Sequence, residues 1–427
     1  WTLRDIVDYE LAATYGLLEA CANERRLLAR TFYKLNRKQI ELGSKEAPYA
    51  WVVPAEQHDR PAAARMLQIL DELGVEVHRA TEAFEAGGKK YAAGSHVVQM
   101  AQPFRAFAKD LLEKQTYPVQ RGAGGAIERP YDVTGWTLPY QMGVEAAEIS
   151  KKFDAKLEMV QPVGIPAGRF ETASGAVAWE ISHAANNSAI ATNRLLKAGA
   201  TVGWTQTGGI VARAREDLAP KLRDWTRELG IDVKGLATLP PGLRRLRAVK
   251  TGLYQPNESS MDEGWTRWLL EQYEFPYKTA RVADIKGGKL RERFDAIIVA
   301  DISKESLITG RDSEWIRPEY GGGLGVEGVA MLKEFVRAGG TLITLGSSSL
   351  VPMEEFPLPL KSALKGLRGD QFSSPGSILK VFVDNTTAVG YGMREEASAV
   401  FYNDVAFEAA PALGDAVVKT IAKYPSG

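Results

Sequence analysis

The sequence predicts an α/β protein: a small α/β domain followed by a doubly wound sheet domain. Two observations predict it. Short apolar runs of strand length alternate with longer stretches of helical periodicity, and Gly, Pro and Asp punctuate them where helices start and stop. The alternation is most regular between Arg247 and Leu345, where strand-like and helix-like runs succeed one another as in a parallel sheet with crossover helices.

The chain of 427 residues, 45% of them apolar, is too long for one core, so two or three domains are expected. Lys plus Arg equals Asp plus Glu at 53 each, which leaves no global field to attract nucleic acid or an anionic membrane. No run reaches the roughly 18 to 20 apolar residues that span a bilayer. The single cysteine, Cys21, lies in a helical run of Ala, Leu and Glu with no His or Lys close in sequence, and it reads as a small buried hydrophobe rather than a nucleophile.

From Trp1 the spacing of Ile6, Tyr9, Leu11, Leu17 and Leu18 predicts a long helix, ending at Gly43 and Ser44 before Pro48. Such a helix needs a partner domain. Tyr49 to Val53 reads as a buried strand, Asp59-Arg60-Pro61 as the start of a helix to Leu73, and Val75 to His78 as a second strand. Phe84 to Gln102 reads as a short hairpin with turns at Gly87-Gly88 and Gly94, and Pro103 to Lys114 as a helix. Residues 116 to 145, rich in Gly, Pro and aromatics, read as an ordered crossover. Beyond it the pattern predicts an apolar strand at Ala176 to Ile181, helices at Ala189 to Ala198 and Glu216 to Leu229, and strands at Thr201 to Trp204 and from Gly230 to Val233. Strands at Arg247 to Tyr254, Tyr277 to Val282, Ala296 to Ala300 and Thr341 to Leu345 then alternate with helices at Asp262 to Glu271 and Val326 to Arg337. A final strand is expected from Val417 to Tyr424.

Candidate ligand residues sit in the polar loops. Gln57 and His58 precede Asp59 in a cluster that reads first as a helix start with solvated charge. His183 and Asn187 lie between an apolar strand and a helix, where Asn187 or Ser188 is expected to cap the helix. Asp132 and Trp136, with Tyr131 and Tyr140, supply aromatic and polar groups suited to a sugar or peptide, or equally to a domain interface. Ser347 occupies a Gly-Ser-Ser-Ser turn after a buried strand, but no His follows His183, so a downstream histidine for a serine triad is absent from the sequence. Gly321 to Gly325 lacks the Lys-Ser/Thr of a phosphate loop and reads as a helix-leading loop. His58, His78, His96 and His183 occur in no His-x-x-Glu, His-Glu-x-x-His or Cys-x-x-Cys pattern, so neither a metal nor another cofactor is expected on this chain.

Several stretches resemble the post-catalytic region of large bacterial carboxypeptidase A-like zinc metallopeptidases. They are the opening Trp1 to Glu10, Pro54-Ala55-Glu56-Gln57, Gly74 to Ala80, Ala93 to Val98, Gln102-Pro103-Phe104 and Arg129 to Thr134. The second half resembles the class I glutamine amidotransferase-like domain of that group, a flavodoxin-like sheet, without its nucleophilic cysteine. The resemblance implies that 1–45 is the terminal helix of an upstream peptidase domain, 46–115 a small α/β domain, 116–150 a crossover and 151–427 the amidotransferase-like domain. The resemblance implies that this domain is cut short at its C-terminus. It implies zinc ligands and a catalytic Glu only in the upstream domain, a secreted or periplasmic setting, and an accessory role with no catalytic residue here. The competing expectation is a free-standing protein binding a sugar or peptide between two α/β domains. The uncovered apolar stripe of the first helix predicts self-association.

Overall fold

A computed structural model describes residues 1–118, 120–122, 128, 130–131, 135–311, 316–356, 358–368, 371–402, 404–410 and 418–424. The backbone divides into two units, Trp1–Thr116 with Thr134–Gly164, and Tyr117–Val133 with Ile165–Gly427.

The first unit opens with α1 (Leu3–Asn23) and α2 (Arg25–Lys45). Thr2 and Asp5 cap α1 reciprocally: the Asp5 carboxylate accepts from the Thr2 backbone N–H at 2.7 Å, and the Thr2 hydroxyl accepts from the Asp5 N–H at 3.4 Å. The expected single helix is thus two, parted at Glu24 (φ −102°, ψ 17°). The last bond of α1, from Glu24 N–H to Ala20 O (2.8 Å), and the first of α2, from Leu28 N–H to Glu24 O (2.9 Å), meet at Glu24, so the two helices follow one another with a single-residue break and are together called the rod.

Next come β1 (Ala50–Val53), α3 (Arg60–Glu72), β2 (His78–Ala80), the hairpin β3 (Phe84–Ala86) and β4 (Lys89–Tyr91), β5 (His96–Gln99), α4 (Arg105–Leu112), α5 (Leu138–Gln141), β6 (Ala147–Ile149) and β7 (Leu157–Met159). Asp59 starts α3 by accepting from Ala62 N–H at 2.9 Å, with Pro61 in the first turn. Five strands pair in the order β6-β1-β5-β2-β7, every neighbour antiparallel. The strand, helix, strand unit read from sequence is therefore a split one, with β5 lying between β1 and β2. Alternation along β1 sends Trp51 and Val53 toward Met66, Leu67 and Leu70 of α3, and Ala50 and Val52 toward Phe84, Tyr91 and Ile149 on the hairpin side. Because β7 pairs with β2, the sheet extends beyond the boundary expected at residue 150. Of the expected crossover, 119, 123–127, 129 and 132–134 lie outside the described residues.

The second unit holds two larger sheets. One is built from β8 (Phe170–Glu171), β9 (Ala178–Ile181), β10 (Val202–Trp204), β11 (Ile210–Arg213), β12 (Val233–Leu236) and β13 (Arg244–Arg245), in the order β13-β10-β11-β9-β12-β8, with α6 (Ser188–Lys197) and α7 (Leu218–Leu229). Only β8 and β12 pair in parallel. Ile181, Leu195, Ile210, Leu218 and Ile231 are buried in its core.

The other sheet begins with β14 (Thr251–Gln255), α8 (Met261–Gln272), β15 (Tyr277–Arg281), α9 (Val282–Lys286), α10 (Leu290–Arg293) and β16 (Ala296–Val299). It continues through α11 (Lys304–Ile308), α12 (Gly325–Arg337) and β17 (Thr341–Thr344) to α13 (Leu350–Glu355). Its four strands are all parallel, in the order β15-β14-β16-β17, so the chain turns from one side of the sheet to the other between β14 and β16. Phe294, Ile297, Leu332 and Phe335 lie in its core. The parallel sheet spans 251–344, while 165–246 forms the separate, mainly antiparallel sheet. The remainder forms short ribbons: β18 (Leu360–Ser362) with β21 (Phe407–Ala409), and β19 (Pro375–Val383) between β20 (Glu396–Tyr402) and β22 (Ala422–Lys423). Of the strand expected over 417–424, only Ala422–Lys423 is paired, and 417 lies outside the described residues.

Candidate functional site

The most exposed apolar feature is the rod. No residue of α1 is buried, and in α2 only Gly43 is. Gly43 is its foot: a Cβ there would stand 1.9 Å from the Met100 carbonyl oxygen, so only glycine lets α2 approach the end of β5. Above the foot, Val7, Leu11, Leu18, Leu28, Phe32 and Leu35 are all exposed, Phe32 by 72%. Their spacing alternates between steps of four and three from Val7 to Leu42, with Thr14, Cys21, Arg25 and Gln39 at the remaining positions. A seam with this period matches a partner helix rather than a flat surface. Cys21, expected to be buried, is exposed because, among the described residues, nothing covers α1.

A second cluster gathers at the carboxyl ends of the parallel strands. Asp301, just after β16, accepts from the Ser347 backbone N–H at 2.8 Å and lies where a side chain on Gly346 (φ 55°) would fall, 2.6 Å from its carboxyl carbon. Asp262 and Asp404 both lie within its field. Burial first, and then the Asp301 charge, pushes the Asp262 carboxyl above its ordinary range; Asp404 is raised by burial first, with Asp301 adding to it. Beside them Glu258 pairs with Arg311 at 2.6 Å, and Asn257 donates to Gly321 O at 2.7 Å, so the glycine run closes the strand-end loop with its carbonyls instead of offering N–H groups to an anion. The Tyr254 hydroxyl is buried without a hydrogen-bond partner, and burial, then Glu258, holds it far above the ordinary phenol range.

The candidate residues fall in different places. Gln57 donates to Pro54 O (3.1 Å) and Glu145 O (2.9 Å) and accepts from Glu145 N–H (2.9 Å), straps that hold the loop after β1. His58 is half-buried beside the capping Asp59. Trp136 precedes α5, and its carbonyl accepts from Gln141 at 2.5 Å. Asp132 lies outside the described residues. Asn187 does not cap α6; its amide donates to Leu229 O at 2.8 Å and thereby satisfies the end of α7, and Ser188 is buried at the first helical position. His183 bonds Gly208 O through Nδ1 at 2.9 Å, stacks on Trp204 at 6.0 Å, and has Gly392 so close that a Cβ there would meet its carbonyl at 2.3 Å. Trp204 meets Tyr391 edge-on at 5.7 Å, and the Tyr391 hydroxyl donates to Gln206 O at 3.1 Å. Ser347 lies at the strand-end cluster, where its backbone, as described, binds Asp301. No signal near His183 points to Tyr391 and Gly392, more than two hundred residues later in the chain.

His78 and His96 do not share a zinc site. Pairing puts His78 opposite Val97 and Arg79 opposite His96, so His78 and His96 leave opposite faces of the sheet. Among the described residues no group of three or more His, Cys, Asp or Glu side chains is placed to hold a metal. Nor is any described helix long and apolar enough to cross a membrane. Comparison with known proteins finds no matching family, no matching curated protein and no matching solved structure.

Proposed function

We propose that this chain is a non-catalytic accessory and scaffold region of a larger zinc carboxypeptidase-like protein, with the peptidase chemistry carried by residues outside it. The observation behind this reading is the α1–α2 rod, whose apolar side chains find no cover among the described residues although its foot is fixed on the first sheet. An element of that kind assembles with other polypeptide; it does not build a catalytic cleft. The sequence resemblance supplies the peptidase context, and with it a secreted or periplasmic setting. The test is elemental analysis for zinc on the purified chain, alongside hydrolysis of a panel of peptides with free C-termini. The expected result is neither bound zinc nor turnover. Stoichiometric zinc with chelator-sensitive hydrolysis overturns the proposal.

A further inference from the structure

The rod carries a second pattern besides its apolar seam. α1 bears four acidic residues, Asp5, Asp8, Glu10 and Glu19, against Arg4 alone, whereas α2 bears seven Lys and Arg residues against the single acid Glu41. An acidic helix and a basic helix that share one exposed seam are complementary to the same pair run in reverse.

We infer that the rod pairs with the rod of a second copy of this chain in an antiparallel, two-fold coiled coil centred on Asn23. This rests on reading the rod as an assembly element and goes further by naming what covers it. The four-and-three spacing allows antiparallel registers one heptad apart, and the one centred on Asn23 keeps the paired layers clear of the foot at Gly43. With the axis at Asn23, each seam position of one copy meets the alternate kind of seam position in the other, as antiparallel coiled coils require. Leu11 then faces Leu35 of the second copy, Thr14 faces Phe32, Leu18 faces Leu28 and Cys21 faces Arg25, each layer occurring twice by symmetry. Flanking the seam, Glu10 lies against Lys38 of the second copy. A parallel arrangement sets the acidic helices together and the basic helices together, which repels. Charge therefore selects direction, and the apolar layers supply cohesion.

The experiment is sedimentation velocity on the full chain at micromolar concentration, with three sets of variants whose helicity is checked by circular dichroism. The wild type is expected to be a dimer. L18E/L28E places carboxylates in two symmetry-related layers and weakens the dimer about 100-fold or more. E10K alone and K38E alone weaken it by about 3- to 10-fold, and E10K/K38E returns it to wild-type strength, because each swapped pair is again opposite in sign. A monomeric wild type overturns the inference, as does a dimer indifferent to L18E/L28E. A double charge swap weaker than either single swap overturns the antiparallel register. None of these readings depends on zinc or turnover, so the scaffold reading and the dimer stand or fall separately.

Discussion

Gly43 shows how one absent side chain positions a whole element. With Met100 O where its Cβ would be, Gly43→Ala forces α2 away from β5. We expect a loss of about 1–3 kcal/mol in the first unit, the usual range for an overpacked contact, read as a lowered denaturation midpoint. The strand-end carboxylates make a different kind of prediction. Asp262 and Asp404 are raised in the folded state, so the native protein holds their protons more readily than the unfolded chain. Their contribution to stability therefore grows as pH falls through their raised values and is lost as pH rises above them. Asp301→Asn removes a charge that raises both, and NMR titration should find both carboxyls shifted downward. Unmoved titrations would mean that burial alone sets them. Little of this was legible in the sequence. Asp59 was legible as part of a helix start because the signal is local: a capping side chain followed by Pro. Asp301, Asp262 and Asp404 come together only through the order of the strands, and no spacing announces it.

At the scale of elements, α6 is fastened to the turn beyond α8 by two side chains. Asn193 donates to Tyr273 O at 2.9 Å, and Arg194 binds Glu274 and Glu228 with its guanidinium near the Trp225 ring. Those hydrogen bonds raise Arg194 well beyond its ordinary range, while Arg194 lowers Glu228. Both acids are partly exposed, so screening limits what the pairs add. Arg194→Ala is expected to cost about 1–2 kcal/mol, and Arg194→Lys most of that, since an ammonium cannot make the forked contacts. Chemical denaturation of the two variants checks this; Lys matching wild type would show that charge alone suffices. Between Arg247 and Leu345, α8, α12 and the four strands were readable because their runs are long or apolar enough to show a pattern, while α9, α10 and α11, of four or five residues each, are too short to show a helical period. The split of β1 and β2 by β5 was not, because pairing between strands far apart in sequence leaves no mark on local periodicity. The seam of α1 and α2 was present in the sequence all along, but its significance depends on knowing that nothing among the described residues covers it.

For the whole molecule, the inferred pairing puts Cys21 beside Arg25 of a second copy, although it is exposed in the single chain. Reaction with a thiol reagent should therefore be fast in L18E/L28E and slow in the wild type, and the wild-type rate should rise on dilution. Equal rates in both proteins would count against the pairing. The fold class read from sequence holds at this scale: helices and several sheets make a mixed α/β molecule. The organisation within it follows long-range pairing, which is why the first sheet reaches past residue 150 and the parallel four-stranded sheet begins only at Thr251.

That reach has a consequence for a chain made from its N-terminus on a ribosome. Strand β1 waits for Ala147–Ile149 and strand β2 for Leu157–Met159 before either flank of the first sheet is complete. Until Met159 has left the exit tunnel, β1, β5 and β2 form a nucleus with an unsatisfied edge, while the rod has already emerged with its seam open. Nascent chains on neighbouring ribosomes of one message can thus meet first through their rods. Assembly of the pair during synthesis would precede completion of the sheet from which each rod stands.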